Sequence, residues 1–198
     1  MDDKLLAEAF HQTLKDVYFT AKLSSRTLRR AARRTRSTAL RRAFECQRQE
    51  TAERVARLGR VFEIIGKSAR GRACSPIKGM TATLEAYLDE AGSAAAMDAV
   101  LISWAQEIDL YTIGRCGTLK DWSCKLGMEA AEDVIEETLQ EASRAAEALS
   151  RVVDDIASPD LTMAGTLDTP GGMAMRGFAT IDGSGLTGVY VDRVTSPV

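Results

Sequence analysis

Residues 97–127 run without a proline, and Leu101, Trp104, Ile108, Tyr111, Leu119 and Trp122 recur mostly at three- and four-residue steps. That period lays them along one face of a helix, and Gly127 stands where such a helix would stop. Roughly thirty residues make a rod of about 45 Å. A rod of that length needs other long helices along its flanks. The chain can supply them: of its four prolines, Pro159, Pro170 and Pro197 fall after residue 158, so the earlier sequence is nearly free of the residue that breaks helices.

Leu6, Phe10, Leu14, Val17, Ala21 and Leu28 trace an apolar stripe that predicts a helix over 4–35. A second stripe, Leu40, Phe44, Thr51, Val55, Leu58, Phe62 and Ile65, ends at Gly66. Midway its seam turns polar, through Gln47, Arg48 and Glu50. Residues 67–73 form a small, basic loop, and Ser75-Pro76 suits the start of a short helix reaching residue 90. The last helix begins near Met128, repeats Ile135, Thr138, Ala142, Ala145, Leu149, Val152 and Ile156, and stops at Ser158-Pro159. Residues 67–93 are too many for a tight turn. The reading is therefore all-α: a ferritin-like four-helix bundle over 1–158, with a short helix in its one long connection.

Residues 159–198 differ in kind, being rich in Gly, Thr, Asp and Met, with Thr169-Pro170-Gly171-Gly172 as a turn signal. A mobile tail is the plain expectation. The alternative is a docking peptide for a protein partner, with Leu186, Val189, Tyr190 and Val191 as the contact residues.

With 198 residues, 45% hydrophobic, the chain can bury one sizeable core. Its net charge of −2 argues against a protein that is basic overall. The opening residues lack the basic and apolar regions of a signal peptide, and no window approaches a membrane span. Cys46, Cys74, Cys116 and Cys124 have no CxxC spacing, so buried or half-buried free thiols in a reducing cytoplasm are expected. His11 is the only histidine, which rules out assembling a Ser–His–Asp or Cys–His set in mid-bundle, and no catalytic residue is assigned. Arg29, Arg30, Arg33 and Arg34 form a basic patch, but without interleaved aromatics it reads as a solvated or paired face rather than a nucleic-acid site. The acids of the last helix could pair with these arginines across a helix or dimer interface.

Several motifs resemble the YciE/YciF proteins, a stress-associated bacterial branch of the ferritin-like superfamily. Leu14-Lys15-Asp16-Val17-Tyr18 is similar to that family's opening, and Glu50-Thr51 with Val55, Arg57, Leu58, Val61, Phe62 and Glu63 to its second helix. The connector over 71–79 holds Cys74 as the family's does. Ala105-Gln106, Tyr111, Ile113 and Gly117-Thr118-Leu119 fit its third helix, and Glu137-Thr138-Leu139 with Glu141 its fourth.

The resemblance implies a di-metal site of inward carboxylates and histidines, since iron and manganese favour oxygen and imidazole donors. Here the sequence departs from the family pattern. Ala21 stands at a usual glutamate, Asp109-Leu110-Tyr111-Thr112 where the family reads glutamate–histidine–tyrosine–glutamate, and Glu141-Ala142 at paired acids. Ala21, Thr112 and Ala142 lie on the predicted stripes and so point at the bundle axis. Glu50, Glu53, Asp109 and Glu141 remain as vestigial metal candidates, against the alternative that they face solvent or pair with Arg48, Arg54 and Arg57. The leading expectation is a protein that has lost most of its di-iron ligands, carries no cofactor and works as a structural or binding module, in the cytoplasm and as a homodimer. One alternative is a residual iron or manganese site with oxidase or peroxide activity. The other is a cargo-like protein that docks through its C-terminal peptide.

Overall fold

The structure, a computed structural model, describes residues 2–157. The proposed contact residues Leu186, Val189, Tyr190 and Val191 lie outside the described residues. Five helices follow in order: α1 (Asp3–Arg34), α2 (Thr38–Ile64), α3 (Ser75–Glu90), α4 (Ala94–Lys125) and α5 (Glu129–Ala157). Each lies close to its predicted span. The 97–127 helix starts three residues early because the Ser93 side chain caps it, accepting from Ala96 N–H at 3.1 Å.

Local chemistry sets the other ends. Asp2 and Ser37 accept from Lys4 and Leu40 N–H and so cap α1 and α2. Arg41 donates to the carbonyls of Ala32 and Thr35, covering the otherwise bare end of α1. Gly66 and Gly127 stop α2 and α4 at a φ of 65°, and the following residues, Lys67 and Met128, donate back to Phe62 and Ser123. That is the left-handed helix stop only glycine adopts cheaply.

The four long helices pack as a square in which α1 and α5 each touch both α2 and α4. Neighbours run antiparallel, so α2 and α4 run in the same direction. The chain leaving α2 must therefore travel back along the bundle before α4 can begin. Residues 65–93, with α3, make that return. The connector is tied to α1 on the way: Arg72 N–H donates to Lys15 O, and its guanidinium forks onto Asp16 at 3.1 and 3.2 Å.

The apolar core comes in two parts. One gathers Phe10, Leu14, Val17, Leu58, Phe62, Leu119 and Ile135 at the end where α1 begins. The other gathers Leu28, Leu40, Phe44, Ile77, Leu101, Trp104 and Leu149 at the opposite end. Between them lies a layer of buried polar side chains: Gln47, Thr51 and Arg54 of α2, Asp109 and Thr112 of α4, Thr138 and Glu141 of α5. Of the polar interruption visible in the second stripe, Gln47 joins this layer, while Arg48 and Glu50 are only half-buried.

Candidate functional site: a polar layer at the centre of the bundle

Position 54 is where the α2 stripe departs from expectation. Val55 is only half-buried, whereas Arg54 points inward and is 2% exposed. Residues 47, 51, 54 and 58 step by four, three and four, so they share the inner face of α2. The Arg54 guanidinium meets Glu141 of α5 as a fork, Nε to Oε2 and Nη2 to Oε1, both at 2.8 Å. Arg57 adds a third bond to Glu141 Oε2 at 2.8 Å. Burial disfavours the Arg54 charge, but the Glu141 hydrogen bonds and carboxylate outweigh it and hold the guanidinium above its ordinary range. Arg54 is a permanent cation here.

Earlier on the same helix, Gln47 Nε2 donates to both carboxylate oxygens of Asp109 on α4, at 2.8 and 2.7 Å. Burial pushes the Asp109 carboxyl up to about 7, against the opposing pull of Arg54 and the Gln47 hydrogen bond. Glu141 and Glu50 push it further in the same direction as burial. The buried threonines need no outside partner. Thr51, Thr112 and Thr138 donate to the carbonyls of Gln47, Ile108 and Val134, one turn back on their own helices.

Ala21, Thr112 and Ala142 are all buried in the bundle interior, as their place on the stripes predicts. Of the four candidate ligands, the fold brings Asp109 and Glu141 into the central layer. Glu50 is half-buried and accepts from the Cys46 thiol at 3.6 Å. Glu53 is exposed, since a three-residue step from half-buried Glu50 carries it to the outer face. Among the described residues no three His, Cys, Asp or Glu side chains converge to hold a metal ion. The donors present do not fit a di-metal centre. Glu141 has both oxygens taken by guanidinium groups, and a divalent ion would have to share the layer with the Arg54 charge.

A family model described as a domain of unknown function, DUF892, matches residues 5–162. The chain belongs to the DUF892 family. Protein YciF of Escherichia coli strain K12 is 28% identical to this DUF892 chain over 142 residues, covering 71% of it and 86% of YciF. The solved structure of the Escherichia coli stress protein YciF matches with a TM-score of 0.72 at 25% identity, covering 77% of this chain and 98% of that one. YcfI from Rhodopseudomonas palustris matches with a TM-score of 0.71 at 23% identity, covering 73% and 92%. The YciE/YciF kinship and the ferritin-like bundle both stand.

Elsewhere in this DUF892 bundle, Arg29, Arg30, Arg33 and Arg34 are exposed at the end of α1, where Arg30 pairs with Glu85 of α3 at 2.6 Å. Among the described residues, two acids in the first half of α5 pair with other arginines. Glu137 and Glu141 meet Arg57, Arg60 and Arg54 of α2, far along the bundle from the arginine patch. Only two of the four thiols are buried: Cys74 and Cys116 are, while Cys46 and Cys124 are exposed. His11 packs edge-on against Phe62, and burial lowers its pKa. Among the described residues, no helix is long and apolar enough to cross a membrane.

The alternative that the candidate acids pair with arginines holds for Glu141, which meets Arg54 and Arg57; what sequence reasoning missed is that Arg54 and Gln47 face inward and organise the layer. The available signal was the phase of the 47–51–54–58 series, which places both on the inner face.

Proposed function

We propose that this DUF892 protein is a metal-independent, YciF-type module, structural or binding in role, in which a guanidinium does the work a metal pair does in ferritin-like carboxylate proteins. A buried carboxylate needs a cation to offset its lost hydration. The observation that carries the reading is the fork between Arg54 and Glu141 at the bundle centre. With that cation built in, Ala21, Thr112 and Ala142 can be small without leaving an uncompensated charge. Kinship to a protein called a stress protein in Escherichia coli supports a role in stress for this chain too. The same proposal has the chain acting in the cytoplasm as a homodimer, for which exposed Leu5, Tyr87 and Leu110 offer apolar surface.

Metal analysis tests the reading directly. The full chain, purified without chelators from cells supplemented with iron and manganese, is expected to carry far less than one metal per chain and to show no turnover of peroxide. About two metals per chain would overturn it.

A further inference from the structure

On the Trp104 side of Arg54, helices α1, α2 and α4 leave an internal cavity with room for about one water-sized sphere, ≈ 10 Å³. Ser24, Gln47, Trp104, Asp109 and Arg54 contribute to its wall. Three of these residues each have a buried side-chain atom with no hydrogen-bond partner in the protein: Ser24 Oγ, Gln47 Oε1 and Trp104 Nε1. Their residues are 3%, 7% and 3% exposed, one on each of the three helices. Of the six such side-chain atoms among the described residues, half belong to residues that line this one small cavity. A buried polar atom left unpaired costs about 1–3 kcal/mol, so three in one place point to a shared partner.

The chemistry of the wall selects that partner. Trp104 Nε1 can only donate, Gln47 Oε1 can only accept, and Ser24 Oγ can do either. The Gln47 orientation follows from the ionised Asp109 carboxylate, which can only accept: Nε2 faces both of its oxygens and Oε1 turns the other way. A cation would meet the indole N–H and the Arg54 guanidinium. An anion would meet the Asp109 carboxyl and Gln47 Oε1. A water accepts from Trp104, donates to Gln47 and completes its set with Ser24. The space matches one water, which needs roughly 10–15 Å³ and two to four polar partners.

We propose that this cavity is a built site for a single ordered water that joins α1, α2 and α4 beside the Arg54 layer. A high-resolution crystal structure of the full chain, with anomalous data, tests it. The expected result is one peak without anomalous signal, within about 2.7–3.2 Å of the three atoms. An empty cavity would overturn this proposal and leave the metal-independent reading standing. An anomalous peak there would overturn both. In solution, the Trp104 indole proton, assigned by its loss in Trp104→Phe, should show a magnetisation-transfer cross-peak to a long-lived water. Its absence would overturn the proposal.

Discussion

Arg54 and Glu141 stand 87 residues apart in sequence and meet through two hydrogen bonds of 2.8 Å at the middle of the bundle. Each makes the other's burial tolerable. Truncating one partner leaves a charge without its counterion, which costs about 3–5 kcal/mol in such pairs. Arg54→Ala is therefore expected to lower stability by that order in urea denaturation, with Arg57 softening the loss through its own bond to Glu141. The double variant Arg54→Met with Glu141→Leu should recover most of it, because neither member of the pair is then left buried without the other. A double variant no better than Arg54→Ala would mean that the layer matters through something other than this pair.

Asp109 gives the fold a pH dependence whose sign can be worked out. Its carboxyl is pushed up from 3.8 to about 7, chiefly by burial, so the folded chain holds that proton more tightly than the unfolded chain does. The resulting stability is fully present below about pH 4 and is lost as pH rises through about 7. Asp109→Asn carries no such proton. Relative to that variant, the natural protein should lose a few kcal/mol between about pH 4 and pH 8, read from denaturation curves across the range. Parallel curves for the two proteins would place the Asp109 titration elsewhere.

The thiols should divide into two classes. Cys46 and Cys124 are exposed and should take a maleimide label in the folded protein. Cys116 is fully buried with its thiol pushed up to about 12 by burial, and Cys74 is buried with its sulfur 3.2 Å from Tyr111 Oη. Two labels per chain are expected by mass spectrometry in buffer, and four in denaturant. Three or more fast labels in buffer would show that the core opens readily.

Gly71 lies where the connector passes close to Phe19 of α1. A Cβ at this position would sit 3.0 Å from both Cα and Cβ of Phe19, and the contact is partly with backbone that cannot swing away. Gly71→Ala is expected to destabilise by about 1–3 kcal/mol, the usual cost of overpacking. Gly79→Ala, with nothing within 4 Å of the added carbon, serves as the control on the same crossing. Equal effects on thermal denaturation would remove the steric account.

Much of this architecture is legible in the sequence. Apolar period, proline placement and glycine stops gave four long helices and a short crossing one, because helix formation is decided within a few residues along the chain. The same period put Ala21, Thr112 and Ala142 on the inner faces, where the fold has them. It could also say that the second helix turns polar around Gln47. It could not say what that polarity meets. Glu53 looked as available as Glu141 by residue type, yet the rotation of α2 sends one to solvent while α5 turns the other onto Arg54. Long side chains such as arginine and glutamine find their partners across helices, at separations of 62 and 87 residues, and only packing fixes those distances. The sequence determined the helices and which faces they bury; the tertiary structure decided that the centre of the bundle is held by a guanidinium.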